Sequence, residues 1–222
     1  MEIRTEFHKK LSKIQDDVLL MGSMVEKAIG RAIEALKNRD LELAKQVVDD
    51  DSKIDEKRYS IEEKCIQLIA TQQPMASDLR VIVAVLSIIT ELERIADHAE
   101  GIANIALMIG NEPPVKPLID LPRMADKTID MLHRSLDAFI SRDPEKARKI
   151  ASEDDEIDEL YSQVFRELLV FMAEDPKVCS RATRLIWVAH NLERSADRVT
   201  NICERVVYLV TGKMEEIGVS KY

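Results

Sequence analysis

The sequence predicts an all-α protein: a tandem repeat of two three-helix bundles with antiparallel helices. Three observations predict it. Hydrophobic residues make up 45% and charged residues 33% of the 222, with 4% aromatic and six glycines, a profile of long amphipathic helices rather than sheets. Apolar residues recur at steps of three and four over long segments. Finally, the hexapeptide Leu92-Glu93-Arg94-Ile95-Ala96-Asp97 returns as Leu192-Glu193-Arg194-Ser195-Ala196-Asp197, and self-similarity at a fixed distance is the signature of a repeat.

The first helix is expected from about Ile3 to Lys37, where Leu11, Ile14, Val18, Met21, Val25, Ile29, Ile33 and Leu36 form one stripe. Asn38-Arg39-Asp40 ends it, and Asp40 caps a second helix reaching about Ala70 with the stripe Leu43, Val47, Ile54, Ile61, Cys65 and Leu68. Asp51 falls on that stripe and Asp55 stands one turn later, although acids are rare on a core-facing seam. Pro74 stops the helix, and Ser77 or Asp78 is the expected cap of a third, from about Leu79 to Ile109. Two adjacent apolar rows on that helix place it at the centre of its bundle.

Gly110 to Pro117 is the proline-rich break, so the expected domains are 1–111 and 118–222, joined by a connector at 112–117 too short to be a long tether. A fourth helix is read over Met124 to Ile140. Asp143-Pro144 supplies a cap followed by proline at the first helical position. The fifth helix is read as continuous, with Ile150, Ile157, Tyr161, Phe165 and Leu168 on one stripe and Asp154 and Asp158 where the first half has Asp51 and Asp55. The sixth runs from about Val178 to Thr211.

A formal net charge of −9 argues against nucleic acid and anionic bilayer surfaces as partners, since both need a basic face. The N-terminal residues show no apolar signal core, and the longest apolar run, Val81 to Ile89, is far shorter than a membrane span. A soluble, cytoplasmic protein without membrane insertion is the expectation. Cys65, Cys179 and Cys203 have neither metal-site nor disulfide spacing and read as buried small hydrophobes.

Each half carries two acidic pairs four residues apart: Asp51 with Asp55 and Glu93 with Asp97, then Asp154 with Asp158 and Glu193 with Asp197. Chance alone gives about three or four such pairs at this acid content, so their number means little. Their equivalent placement in both repeats is the signal. If the two helices carrying them are neighbours, four carboxylates meet across each seam and suit iron, manganese, magnesium, calcium or zinc, with room for more than one ion per half. Two other readings stay open: the acids face solvent and pair with Arg94, Arg194, Arg58 or Lys53, or they meet a partner's basic patch. His190, Glu193, Asp197, Asn201 and Glu204 form a more polar row than Thr90, Glu93, Asp97, Gly101 and Asn104, so the second site is expected to be the richer.

Gln73-Pro74-Met75-Ala76-Ser77-Asp78-Leu79-Arg80, then Leu92 to Ala99, and later Asn201-Ile202-Cys203-Glu204 with Tyr208 to Gly212, resemble the PhoU family over essentially the whole chain. The resemblance implies two homologous three-helix bundles whose acidic pairs hold metal clusters, iron or zinc, in some members. It also implies a negative regulator of the phosphate-starvation response, a non-enzymatic adaptor between the ATPase subunit of the phosphate-specific ABC transporter and a membrane sensor histidine kinase. Monomer and homodimer both stay open. The sequence departs from the family pattern at Gly101, where asparagine is common, at Asn104, where glutamate often stands, and at Arg198, where histidine often follows the aspartate. The first two departures bear on metal occupancy of the first half. The competing reading is a carboxylate-bridged metalloenzyme of ferritin-like type, which needs Glu-x-x-His on two helices; none of the four histidines provides it.

Overall fold

The computed structural model describes residues 2–217; Met1 and 218–222, the outer ends of the two expected domains, lie outside the described residues. Among the described residues seven α-helices follow one another: α1 (Glu2–Asn38), α2 (Leu41–Gln72), α3 (Ser77–Ile109), α4 (Asp120–Ser141), α5 (Pro144–Ala151), α6 (Asp154–Glu174) and α7 (Cys179–Thr211), with a 3-10 turn at Pro176–Val178. The helices α1 to α3 pack together as one bundle and α4 to α7 as a second, with α5 and α6 together in the place of α2. The repeat of three-helix units is therefore realised in space.

The caps follow the expected chemistry at two of three places. Asp40 accepts from the Leu43 amide at 2.9 Å, and Asp143 accepts from Glu145 and Lys146 ahead of Pro144. The start of α3 differs. Ala76 occupies the cap position with φ +50° and no side-chain bond, so Ser77 and Asp78 are already helical. The turn after Pro74 tightens enough for the Asp78 amide to reach Met75 O at 3.2 Å, which leaves no half-extended residue for a side-chain cap.

The expected fifth helix is broken at Ser152 and Glu153. Ser152 Oγ bonds back to Lys149 O at 2.8 Å, and Glu153 opens a run of four acids, Glu153 to Glu156, whose mutual repulsion is relieved at a helix N-terminus. In the first repeat only three acids occur in a row before Ser52 and Lys53, and α2 continues. An ion pair recurs on both sides of this difference: Arg31 holds Asp50 at 2.6 Å and Arg134 holds Glu153 in a forked pair.

The halves join along two antiparallel contacts. In the first, α1 meets α4: Glu26 and His133 approach to 3.2 Å, and a Cβ on Gly22 would collide with Leu136 Cδ1. In the second, α3 meets α7. Asn201 donates to Glu91 at 3.2 Å, His98 meets Asn191 at 3.2 Å, and Arg184 reaches Met108 O at 2.5 Å, so one helix ascends as the other descends. The connector is pinned as well, with Arg181 bonded to Pro113 O and paired with Glu112. Cys65 and Cys203 are buried, and burial pushes both thiols up to about 12; Cys179 is only half-buried, because it opens α7 at the molecule's edge.

Gly22 is small because Leu136 is there. Gly22→Val is expected to cost about 2 kcal/mol by overpacking, and Leu136→Ala in the same chain to recover part of that cost. A double-mutant cycle in urea denaturation reads the coupling.

Candidate functional site

The four acidic pairs form two seams, one between α2 and α3 and one between α6 and α7. In the first, Asp51 lies close enough to Asp97, Glu100, Asp55 and Glu93 for their charges to act on it. Burial first, and those carboxylates after it, push its pKa up to about 6. Asp97 is raised for the same reasons, with Arg58 opposing. Arg58 Nη1 reaches from α2 to Glu93 Oε1 at 3.2 Å. In the second seam Asp154 is 8% exposed, and burial followed by Asp158, Asp197 and Glu193 raises it to about 7. Asp158 is raised by burial and by Asp197. Arg194 Nη1 pairs with Asp197 at 2.7 Å, and His190 Nδ1 stands 3.4 Å from Glu193 Oε2. Burial and Arg194 lower the His190 pKa.

The solvated-face reading describes part of this. Arg58 and Arg194 do pair with seam acids, but Lys53 turns to Asp50 at 2.6 Å. Asp154 Oδ1 and Asp158 Oδ1 are buried and have no hydrogen-bond partner, an arrangement that suits a cation between the oxygens. Among the described residues no three His, Cys, Asp or Glu side chains converge as a ready ligand set, so an ion could be held here only if these side chains rotated. The residues fit a hard or borderline cation by donor type and by unsatisfied acceptors.

Glu100 belongs to the first seam and was not among the expected residues. The seam face of α3 steps Glu93, Asp97, Glu100, Asn104, and Asn104 donates to Glu100 at 3.3 Å. Gly101 lies instead at the joint with α7, where a Cβ would stand 3.3 Å from Asn191 Oδ1. Its departure from the family pattern therefore bears on the contact between the halves, not on the acids. Of the polar row expected in the second seam, His190 stands beside Glu193 but two members leave it. Asn201 is turned to Glu91, and Glu204 accepts from the Ile217 amide at 2.9 Å. Arg198 lies 3.6 Å from Glu91.

The PhoU domain model matches residues 18–106 and again 121–206. The chain belongs to the PhoU family. It is 39% identical over 216 residues to a phosphate-specific transport system accessory protein PhoU homolog of Clostridium acetobutylicum, covering 97% of this chain and 99% of that protein. It is 37% identical over 211 residues to the accessory protein PhoU of Escherichia coli, covering 95% and 88%. Among solved structures, the crystal structure of PhoU from Pseudomonas aeruginosa superposes with a TM-score of 0.88 at 35% identity over 93% of this chain and 100% of that one. The PhoU from Streptococcus pneumoniae, described as a phosphate transport system regulatory protein, gives 0.87 at 32% identity over 94% and 99%. No helix among the described residues is long and apolar enough to cross a membrane.

The raised Asp154 fixes a pH dependence for the metal-free chain. Its folded pKa exceeds the unfolded value, so the folded state holds the extra proton between about pH 4 and 7 and its stability falls as pH rises through that window. Asp154→Asn is expected to flatten this dependence and to stabilise the metal-free protein by about 2 kcal/mol at pH 8, read from thermal melts across pH in the presence of chelator.

Proposed function

We propose that this chain is a cytoplasmic accessory protein of a phosphate transport system, regulating phosphate uptake and the phosphate-starvation response. It acts as a non-enzymatic adaptor between the transporter's ATPase subunit and a sensor histidine kinase. The observation that carries this reading is near full-length similarity, in both repeats, to proteins named as accessory to phosphate-specific transport. An adaptor works through its helical faces, and a fold of long helices with many exposed positions supplies them. Tagged protein recovered from phosphate-replete cells is expected to bring down the transporter ATPase and the kinase. Recovery of neither would overturn the adaptor role.

The acidic seams serve this role as cation sites. Asp51, Asp55, Glu93 and Asp97 would hold ions in the first half, with Glu100 beside them, and Asp154, Asp158, Glu193 and Asp197 in the second. Iron or zinc is the proposed occupant, in single ions or clusters. Such an ion supplies positive charge between mutually repelling carboxylates and ties the two helices of each seam together. The support is the pair of unpartnered buried oxygens on Asp154 and Asp158 and the raised pKa values of both seams.

Protein purified without added metal is expected to contain iron or zinc by elemental analysis, and the double variant Asp97→Asn with Asp197→Asn to contain little. A wild type that stays empty when supplied with these ions removes the metal sites and leaves the adaptor reading standing.

A further inference from the structure

The two seams share their acids but not their surroundings. In the first repeat Arg58 crosses from α2 to Glu93, so the chain lays its own guanidinium over the carboxylates. The equivalent residue in the second repeat is Tyr161, whose pKa is raised by burial and by the neighbouring Glu193. Its neighbours change in step. Glu62, Ser87 and Thr90 of the first repeat correspond to Phe165, Trp187 and His190 of the second.

These four rings adjoin one another along α6 and α7. Tyr161 lies 6.3 Å from Phe165 and 6.2 Å from His190 between ring centroids, and Trp187 stands edge-on to His190 at 5.5 Å. Trp187 is 56% and Phe165 39% exposed. Two aromatic residues this open gain little from folding, and one of them, Phe165, lies on the stripe read as core. At the edge of this shelf lie Asp158 and the buried Asp154, each with a carboxylate oxygen that has no hydrogen-bond partner.

Aromatic faces beside desolvated carboxylates are complementary to an arginine, which stacks its plane on rings and donates in a fork to carboxylate. The first repeat places such a group, Arg58, from the position of Tyr161 onto Glu93, the counterpart of Glu193, whereas in the second repeat Arg194 stays on Asp197 along its own helix and Tyr161 brings no positive charge across from α6. We infer that the α6/α7 shelf is a docking surface for a protein segment that presents an arginine beside an apolar residue. The arginine enters over Tyr161 and His190 towards the half-buried Asp158, leaving the buried Asp154 behind it to the cation, and the apolar side chain covers Trp187 and Phe165. This rests on the adaptor reading for the need of a partner, but not on which protein the partner is.

Trp187 is the sole tryptophan, so its fluorescence reports on the shelf directly. The full chain, kept metal-free with chelator, is titrated with a short amphipathic peptide of leucine and arginine. Saturable change in emission is expected, with affinity at least about tenfold weaker when the arginines are replaced by glutamate or the leucines by serine. Labelled-peptide anisotropy is then measured on Tyr161→Arg, which writes the first repeat's residue into the second, and on the surface variant Phe165→Ser. Both are expected to lose about tenfold or more in affinity while keeping wild-type helicity and melting. Absence of saturable binding, equal binding of the glutamate peptide, or wild-type affinity in both variants would overturn the inference. Recovery of transporter ATPase and kinase by wild type and Tyr161→Arg alike would leave the adaptor role intact with this surface excluded, whereas peptide binding without those partners would retain the surface and remove the role.

Discussion

The antiparallel contact between α3 and α7 is the constraint on which the rest of the molecule depends. Each of these helices is the inner member of its own bundle and also the face its bundle shows to the other. α3 is consequently apolar on most of its circumference, whereas α7 is amphipathic, with a buried face and a charged one. Two polar joints lie on the shared strip. Glu91 with Arg198 and Asn201 forms one, and Asn191 with His98 forms the other. Their members correspond by the repeat, Glu91 to Asn191 and Arg198 to His98, so the contact is an isologous one made within a single chain. Ala96 and Ala196, buried and equivalent, come from the duplicated hexapeptide.

Because that strip is committed to the other half, the acids of α3 and α7 can only face their own second helix. Glu93, Asp97 and Glu100 point to α2, and Glu193 and Asp197 to α6. Burial and like charge then act together. A carboxylate whose pKa stands near 6 or 7 is one the folded chain holds at a cost when ionised, and neither Arg58 nor Arg194 cancels that cost for Asp51 or Asp154. Acids that oppose folding of the metal-free chain at neutral pH are the mark of a candidate binding site. The same reasoning separates them from the Arg31–Asp50 and Arg134–Glu153 pairs, where each acid is matched by its own cation and its pKa is lowered.

Most of the fold was legible in the sequence because helical periodicity and a duplicated motif are local signals. Leu11 to Leu36 reads as one face, and that face is buried. The seams were legible for a related reason: equivalent acids on adjacent helices of an antiparallel bundle have to meet. What was not legible depends on rotation finer than whole steps of four. Following fours from Glu93 leads through Asp97 to Gly101, whereas the helix's 3.6-residue turn brings Glu100 to the seam and carries Gly101 round to Asn191. The same drift takes Asn201 to Glu91. The break at Ser152 was hidden because apolar residues flank it in phase, and the start of α3 because a positive φ at Ala76 has no sequence signature in alanine. Phe165 was read as core on the same phase argument, yet it sits at the stripe's edge and is open.

The difference between the repeats divides the site into two kinds of residue. Four acids of each seam occupy the same places in both halves, so whatever they bind is something that both halves can hold, and a small cation meets that requirement without any further matching surface. The residues around them have diverged from Arg58, Glu62, Ser87 and Thr90 to Tyr161, Phe165, Trp187 and His190. The change from Arg58 to Tyr161 takes a competing positive charge off the seam and that from Thr90 to His190 puts an imidazole beside Glu193, while the open rings of Phe165 and Trp187 alter which macromolecular surface the seam can accept. The shared acids thus carry what the two halves have in common, and the ring shelf carries what only the second half does. The asymmetry suits the proposed adaptor role, because two identical faces on a quasi-symmetric chain would compete for the same partner.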